Sequence, residues 1–111
     1  MNIENAKAQM RKGVLEYCIM AILGRKECYT SEIISELKDA KLIVVEGTLY
    51  PLLTRLKNSK LLTYRWEESK SGPPRKYYSL TDEGSKFVQE LDKTWEELSN
   101  AVLKTTKRIG S

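Results

Sequence analysis

The residue types in this chain exclude most catalytic chemistry before any element is assigned. No histidine occurs among its 111 residues, which removes Ser-His-Asp and Cys-His nucleophiles and most zinc sites. The carboxylates fall at helix-surface spacings, such as Glu32 with Glu36 and Glu96 with Glu97, with no flanking apolar pocket to raise a pKa. The six glycines stand singly, so there is no phosphate-cradling loop. What remains is cation and hydroxyl chemistry in two places. Thr48, Tyr50 and Arg55 share one short segment, and Lys70, Arg75 and Lys76 flank Gly72-Pro73-Pro74. Ammonium, guanidinium and hydroxyl groups with few acids nearby are the donors that recognise phosphates and base edges. The expectations are therefore no enzyme, no cofactor and no metal, and a polyanionic partner.

The charge map carries the same message. Residues 1–47 hold seven Lys/Arg and seven Asp/Glu, and residues 79–111 hold five and six; residues 48–78 hold seven bases against two acids. The formal charge of +4 thus originates in one middle stretch, as an electrostatic footprint for a polyanion should. The length suits one compact unit with a modest core. The longest nearly unbroken apolar stretch, Tyr17 to Leu23, is far short of the ~20 residues a bilayer span needs. Cys18 lies in that apolar run and Cys28 stands alone, a pattern of packing groups rather than a disulfide scaffold, so a cytoplasmic protein is expected.

The elements that must position these residues can be read from periodicity. A first helix from about Asn2 to Leu23 is densely apolar from Val14 onward, more than a small domain covers by itself. Thr30 or Ser31 caps a second helix that carries Ile33, Ile34 and Leu37 and ends near Ala40. A third buries Leu49, Leu52, Leu53 and Leu56, leaving Thr48, Tyr50, Thr54, Arg55 and Lys57 on or near its outer surface. Pro51 constrains where it starts: Thr48 as N-cap puts the proline in the first turn, whereas a start near Glu46 makes it an internal kink. Alternation of Leu62, Tyr64 and Trp66 with Thr63, Arg65 and Glu67 predicts a strand. A second strand carries Tyr78 and Leu80 on one face and Arg75, Tyr77 and Ser79 on the other. Glu68 to Gly72 form the turn, which gathers Lys70, Arg75 and Lys76 at a cationic hairpin tip.

Thr81 caps a last helix running to about Lys107, with Asp82 and Glu83 in its first turn. Along it Val88, Leu91, Trp95, Leu98, Val102, Thr105 and Ile109 step by alternating threes and fours, a heptad seam roughly 30 Å long. Three short helices and a hairpin cannot cover so long a stripe, so a homodimer is its natural sink. The expected fold is mainly α with a β-hairpin wing: a winged helix-turn-helix over residues 1–80 and a C-terminal dimerisation helix over 81–111. The third helix would read a groove of double-stranded DNA through Thr48, Tyr50 and Arg55, with Lys70, Arg75 and Lys76 on the backbone. The rival reading is a protein-interaction module that forms a helical dimer and whose basic face is incidental.

The motifs resemble those of a known family. Gly47-Thr48-Leu49-Tyr50-Pro51 with Leu53, Arg55 and Leu56 is similar to the recognition-helix signature of PadR-family transcriptional regulators. Pro74-Arg75-Lys76-Tyr77-Tyr78 with Leu80, Thr81 and Gly84 resembles the family's wing and helix entry. The single C-terminal helix resembles the short branch of that family. The resemblance implies a homodimer that binds a palindromic operator and usually represses, and a recognition helix that begins before the glycine. It also implies a planar aromatic effector stacking on Trp95, as in multidrug-sensing members. Val45-Glu46 departs from the family pattern, in which Ser-Pro or a similar cap precedes the glycine.

Overall fold

A computed structural model describes residues 1–108. Six elements follow one another: α1 (Ile3–Arg25), α2 (Thr30–Asp39), α3 (Glu46–Asn58), β1 (Leu62–Ser69), β2 (Gly72–Leu80) and α4 (Asp82–Thr106). This is the mainly helical fold with a hairpin wing and a long last helix. The Asn2 side chain caps α1 by accepting from the amides of Glu4 and Asn5. Tyr29, rather than Thr30 or Ser31, stands at the N-cap of α2, and its amide donates to Glu32 Oε1 at 3.1 Å.

The core is made where the helix-turn-helix meets the root of the hairpin. Ile19 and Met20 of α1, Ile33 and Leu37 of α2, Leu49 and Leu53 of α3, and Cys28 are all buried, joined by Leu62 and Tyr78 from the strands. Helices α2 and α3 end alike, without glycine. Lys41 and Lys60 each take a left-handed backbone (φ 69 and 64). This lets the Leu42 amide reach the Leu37 carbonyl at 2.8 Å and the Leu61 amide the Leu56 carbonyl at 3.0 Å, the paired closure of a Schellman end. Both leucines thereby fold back on the core.

The wing is an antiparallel pair in register from Leu62↔Leu80 to Glu67↔Arg75, with an irregularity between Glu67 and Ser69 before the turn. Its root is widened by the segment before α2: Cys28 and Tyr78 exchange backbone hydrogen bonds of 3.0 and 2.8 Å. Thr81 caps α4, its hydroxyl accepting from the Gly84 amide at 2.9 Å. The start of α4 presses on the α3–β1 turn, where the Thr81 amide donates to the Leu61 carbonyl at 3.1 Å.

Helix α4 leaves the body after its first turns. Val88 and Leu91 pack against the core, whereas Trp95, Leu98 and Val102 are exposed at 43, 52 and 49 %. Ile109, the last seam position, lies outside the described residues. The hold on α4 includes a polar latch, in which the Tyr17 hydroxyl of α1 donates to the Asp92 carboxylate. That bond, helped by burial, pushes the Tyr17 phenol up to about 12 from its ordinary 10.0. A raised phenol pKa means that the fold favours the neutral form. The latch therefore contributes fully below pH 10 and is lost as pH rises from 10 towards 12. Urea midpoints of the wild type and Tyr17→Phe should differ below pH 10 and converge above it. A difference that persists unchanged through that window would dismiss the latch.

Candidate nucleic-acid interface

The third helix decides what the chain can present. It begins at Glu46 with Val45 as N-cap, so Thr48 is not the cap, and Pro51 sits inside the helix. The cap at Thr48 fails because the Thr48 and Leu49 amides already donate to the Val45 carbonyl at 3.0 and 3.1 Å. The proline is tolerated on the outward side. Lacking an N–H, it leaves the Gly47 carbonyl without its helical partner, and both residues are exposed, where a polar neighbour can serve that carbonyl. A Cβ at Gly47 would meet nothing within 4 Å, so the glycine is not there for internal packing. It leaves the backbone bare on an open face.

With Leu49, Leu53 and Leu56 buried, a turn of about 100° per residue aims Pro51, Thr54, Arg55 and Asn58 outward, with Tyr50 at the edge of the same patch. The side chains expected to read a groove do not all share that face. Tyr50 does, 47 % exposed. Thr48 instead lines a groove with Ala8, Arg11 and Lys12 of α1. Arg55 lines the outward face together with Tyr50, Pro51, Thr54 and Asn58, and its guanidinium also reaches Glu16 of α1 at 3.1 Å. The regular 50, 54, 58 spacing was the signal for Thr54 and Asn58 as members of the outward row.

The wing cations are also distributed differently from the expectation. Only Lys70 lies in the turn; Arg75 pairs with Glu67 and Lys76 with Trp66 further back along the ladder. Adjacent strand residues point to opposite faces, so the two cations cannot gather at one tip. The Arg75 guanidinium covers the Tyr29 ring at 4.4 Å, and the Lys76 ammonium covers Tyr64 at 4.5 Å. A cleft lined by Tyr29, Thr30, Glu46, Tyr50, Trp66 and Arg75, among others, separates the wing from α2 and α3.

The charge excess of the 48–78 stretch is only partly available to a partner. Arg55 is engaged by Glu16, and Arg65 is clamped between Glu27 and Glu67. The Arg65 guanidinium holds the Glu27 carboxyl below its ordinary range. Among the described residues, Lys57, Lys60, Lys70, Arg75 and Lys76 have no acid within 4.0 Å. Burial raises the thiols of Cys18 and Cys28 above their ordinary value, which opposes thiolate chemistry.

A second surface lies between α1 and α4. Trp95 lines a largely apolar groove there with Met10, Gly13, Val14, Tyr17 and Leu98. No helix among the described residues is long and apolar enough to cross a membrane.

Known proteins share both the sequence and this arrangement. The model of the transcriptional regulator PadR-like family matches residues 19–90, a span that contains the helix-turn-helix and the whole wing. The chain belongs to the PadR-like family. A PadR-like transcription factor from Bacteroides fragilis is 60 % identical, with 91 % of this chain and 98 % of that one covered at a TM-score of 0.78. A PadR-like transcriptional regulator from Bacillus cereus is 38 % identical over 93 % of this chain and 99 % of that one, also at 0.78. The structure of Bacillus subtilis PadR in complex with operator DNA is 26 % identical, covering 70 % of this chain and 46 % of that one at 0.65. This PadR-like chain is accordingly a transcriptional regulator and not an enzyme.

Proposed function

We propose that this regulator binds a (pseudo)palindromic operator in double-stranded DNA as a homodimer and represses transcription in the cytoplasm. Residues 1–80 would read DNA, and the helix from 81 onward would join the two protomers. The observation that supports this most is the set of cations with no acidic partner among the described residues, of which Arg75 and Lys76 share a cleft with Tyr50 of α3. The operator-bound Bacillus subtilis relative supports it further. Tyr50 and Arg55 then enter the major groove from one face of α3, with Thr48 on the flank towards α1. Lys70, Arg75 and Lys76 take phosphates, and half-sites lie about 34 Å apart.

The test is fluorescence anisotropy on a duplex selected from a random pool, repeated over a salt series. Lys70→Ala and Arg75→Ala should each weaken binding to all sequences. Each should flatten the slope of log K against log salt by about 0.9 per lost phosphate contact. Unchanged slopes in both variants would remove the wing from the interface.

Effector release is the finer part of this reading. A planar aromatic compound would stack on Trp95 in the α1–α4 groove and favour a dimer whose recognition helices no longer match the operator. Moving the population from mostly bound to mostly released takes roughly 5.5 kcal/mol of differential affinity. Planar cations should quench the Trp95 fluorescence of a Trp66→Phe protein and displace labelled operator over the same concentrations; quenching without displacement would rule out induction. The exposed apolar stripe on α4 also suits a protein-interaction module with no DNA partner, and sedimentation with and without duplex separates that reading.

A further inference from the structure

One ring in the structure serves two cations from different elements. The Lys57 ammonium at the end of α3 lies 5.5 Å from the centroid of Tyr64 on β1, and the Lys76 ammonium of β2 lies 4.5 Å from it. Both ammonium groups are thus within about 10 Å of each other by way of that ring, and neither has an acidic partner among the described residues. Trp66, two residues along β1, adds a second surface: its ring stands edge-to-face with Tyr64 at 6.2 Å and 89° and lies 5.3 Å from Lys76. Trp66 is 60 % exposed, although a large aromatic at such exposure contributes little to folding.

Two exposed ammonium groups up to about 10 Å apart repel only weakly in water, so both stay available to the phosphates of a polyanion. Aromatic faces attract ammonium ions through the ring quadrupole, which limits the rotamers of two otherwise floppy side chains. The result is a pre-ordered dication bridging the recognition helix and the wing. We propose that Tyr64 and Trp66 form an aromatic cradle that holds Lys57 and Lys76 together as a binding site for the phosphates of one DNA strand. This inference rests on the operator-binding reading and adds to it a site that links α3 to the wing. In it Lys57 and Lys76 touch the backbone, while Tyr64 and Trp66 are positioning residues that act through them.

The experiment is the anisotropy salt series on the full chain with the selected duplex. Lys57→Ala and Lys76→Ala should each lower the slope by about 0.9 per protomer. Trp66→Leu should weaken binding about two- to fivefold at an unchanged slope, because both charges remain and only their placement loosens. Trp66→Phe keeps an aromatic face and should stay within about twofold of the wild type. In a Lys76→Ala background Trp66→Leu should have no further effect. Melting curves of each variant confirm that it is folded. The inference falls if Lys57→Ala leaves the slope unchanged, or if Trp66→Leu weakens binding equally with and without Lys76. A wild-type chain that binds no duplex at all would overturn the operator reading along with it, whereas a steep wild-type slope untouched by these variants overturns the cradle alone.

Discussion

Leu98→Asp should sediment as a monomer and bind its operator about 10²- to 10⁴-fold more weakly than the wild type. Leu98 sits between Trp95 and Val102 on the outer part of α4, and all three are substantially exposed in the protomer. If a second copy covers this stripe, a carboxylate at its centre loses its hydration without gaining a partner, which costs several kcal/mol. The protomer itself should be little affected, because an exposed helical substitution usually changes stability by no more than about 0.5 kcal/mol. Far-UV circular dichroism and the salt slope per protomer should therefore survive. What disappears is the second half-site, whose engagement within a dimer is effectively intramolecular. A Leu98→Asp protein that sediments and binds as the wild type does would dismiss α4 as the dimer helix.

Gly84→Ala should destabilise the fold by about 1–3 kcal/mol or more. A Cβ at this position would stand 2.1 Å from the Leu61 carbonyl oxygen and 3.1 Å from its carbon. The obstacle is backbone, and the Thr81 amide already uses that oxygen at 3.1 Å. No side-chain rotation relieves such a clash; the first turn of α4 must lift from the α3–β1 turn. Helix propensity alone points the other way, since alanine in a helix is about 1 kcal/mol better than glycine. A thermal melt thus decides between local propensity and tertiary approach. A melting temperature lowered by roughly 4–8 °C per kcal/mol is expected, and an unchanged or raised one would deny the close approach.

Much of the fold was legible because it depends on local pattern. The apolar spacing of α3, the alternation along β1 and the Thr81 cap each reflect a short-range rule, and each appears in the structure. The helix ends were harder to read, because Lys41 and Lys60 adopt the left-handed backbone that glycine usually marks. The start of α3 was ambiguous for a related reason: Val45 offers no capping side chain, so Thr48 was the more visible candidate.

The site was legible in composition but not in geometry. Counting charge located the basic stretch, yet Arg55 and Arg65 are engaged by acids 39 and 38 residues away in the chain. The cationic hairpin tip dissolved for a simpler reason, since strand alternation separates Arg75 from Lys76 once their register with Glu67 and Trp66 is known.

By itself the sequence determined the class of partner chemistry, the order of the elements and the two motifs that mark the family, because residue type and short-range periodicity suffice for these. The tertiary structure alone decided which cations keep their charge for a partner, which side of α3 faces outward beside the wing, and why Gly84 is a glycine. Those outcomes depend on groups brought together from distant parts of the chain. Electrostatic pairing and steric contact act over a few ångströms of space, and sequence separation does not report that distance.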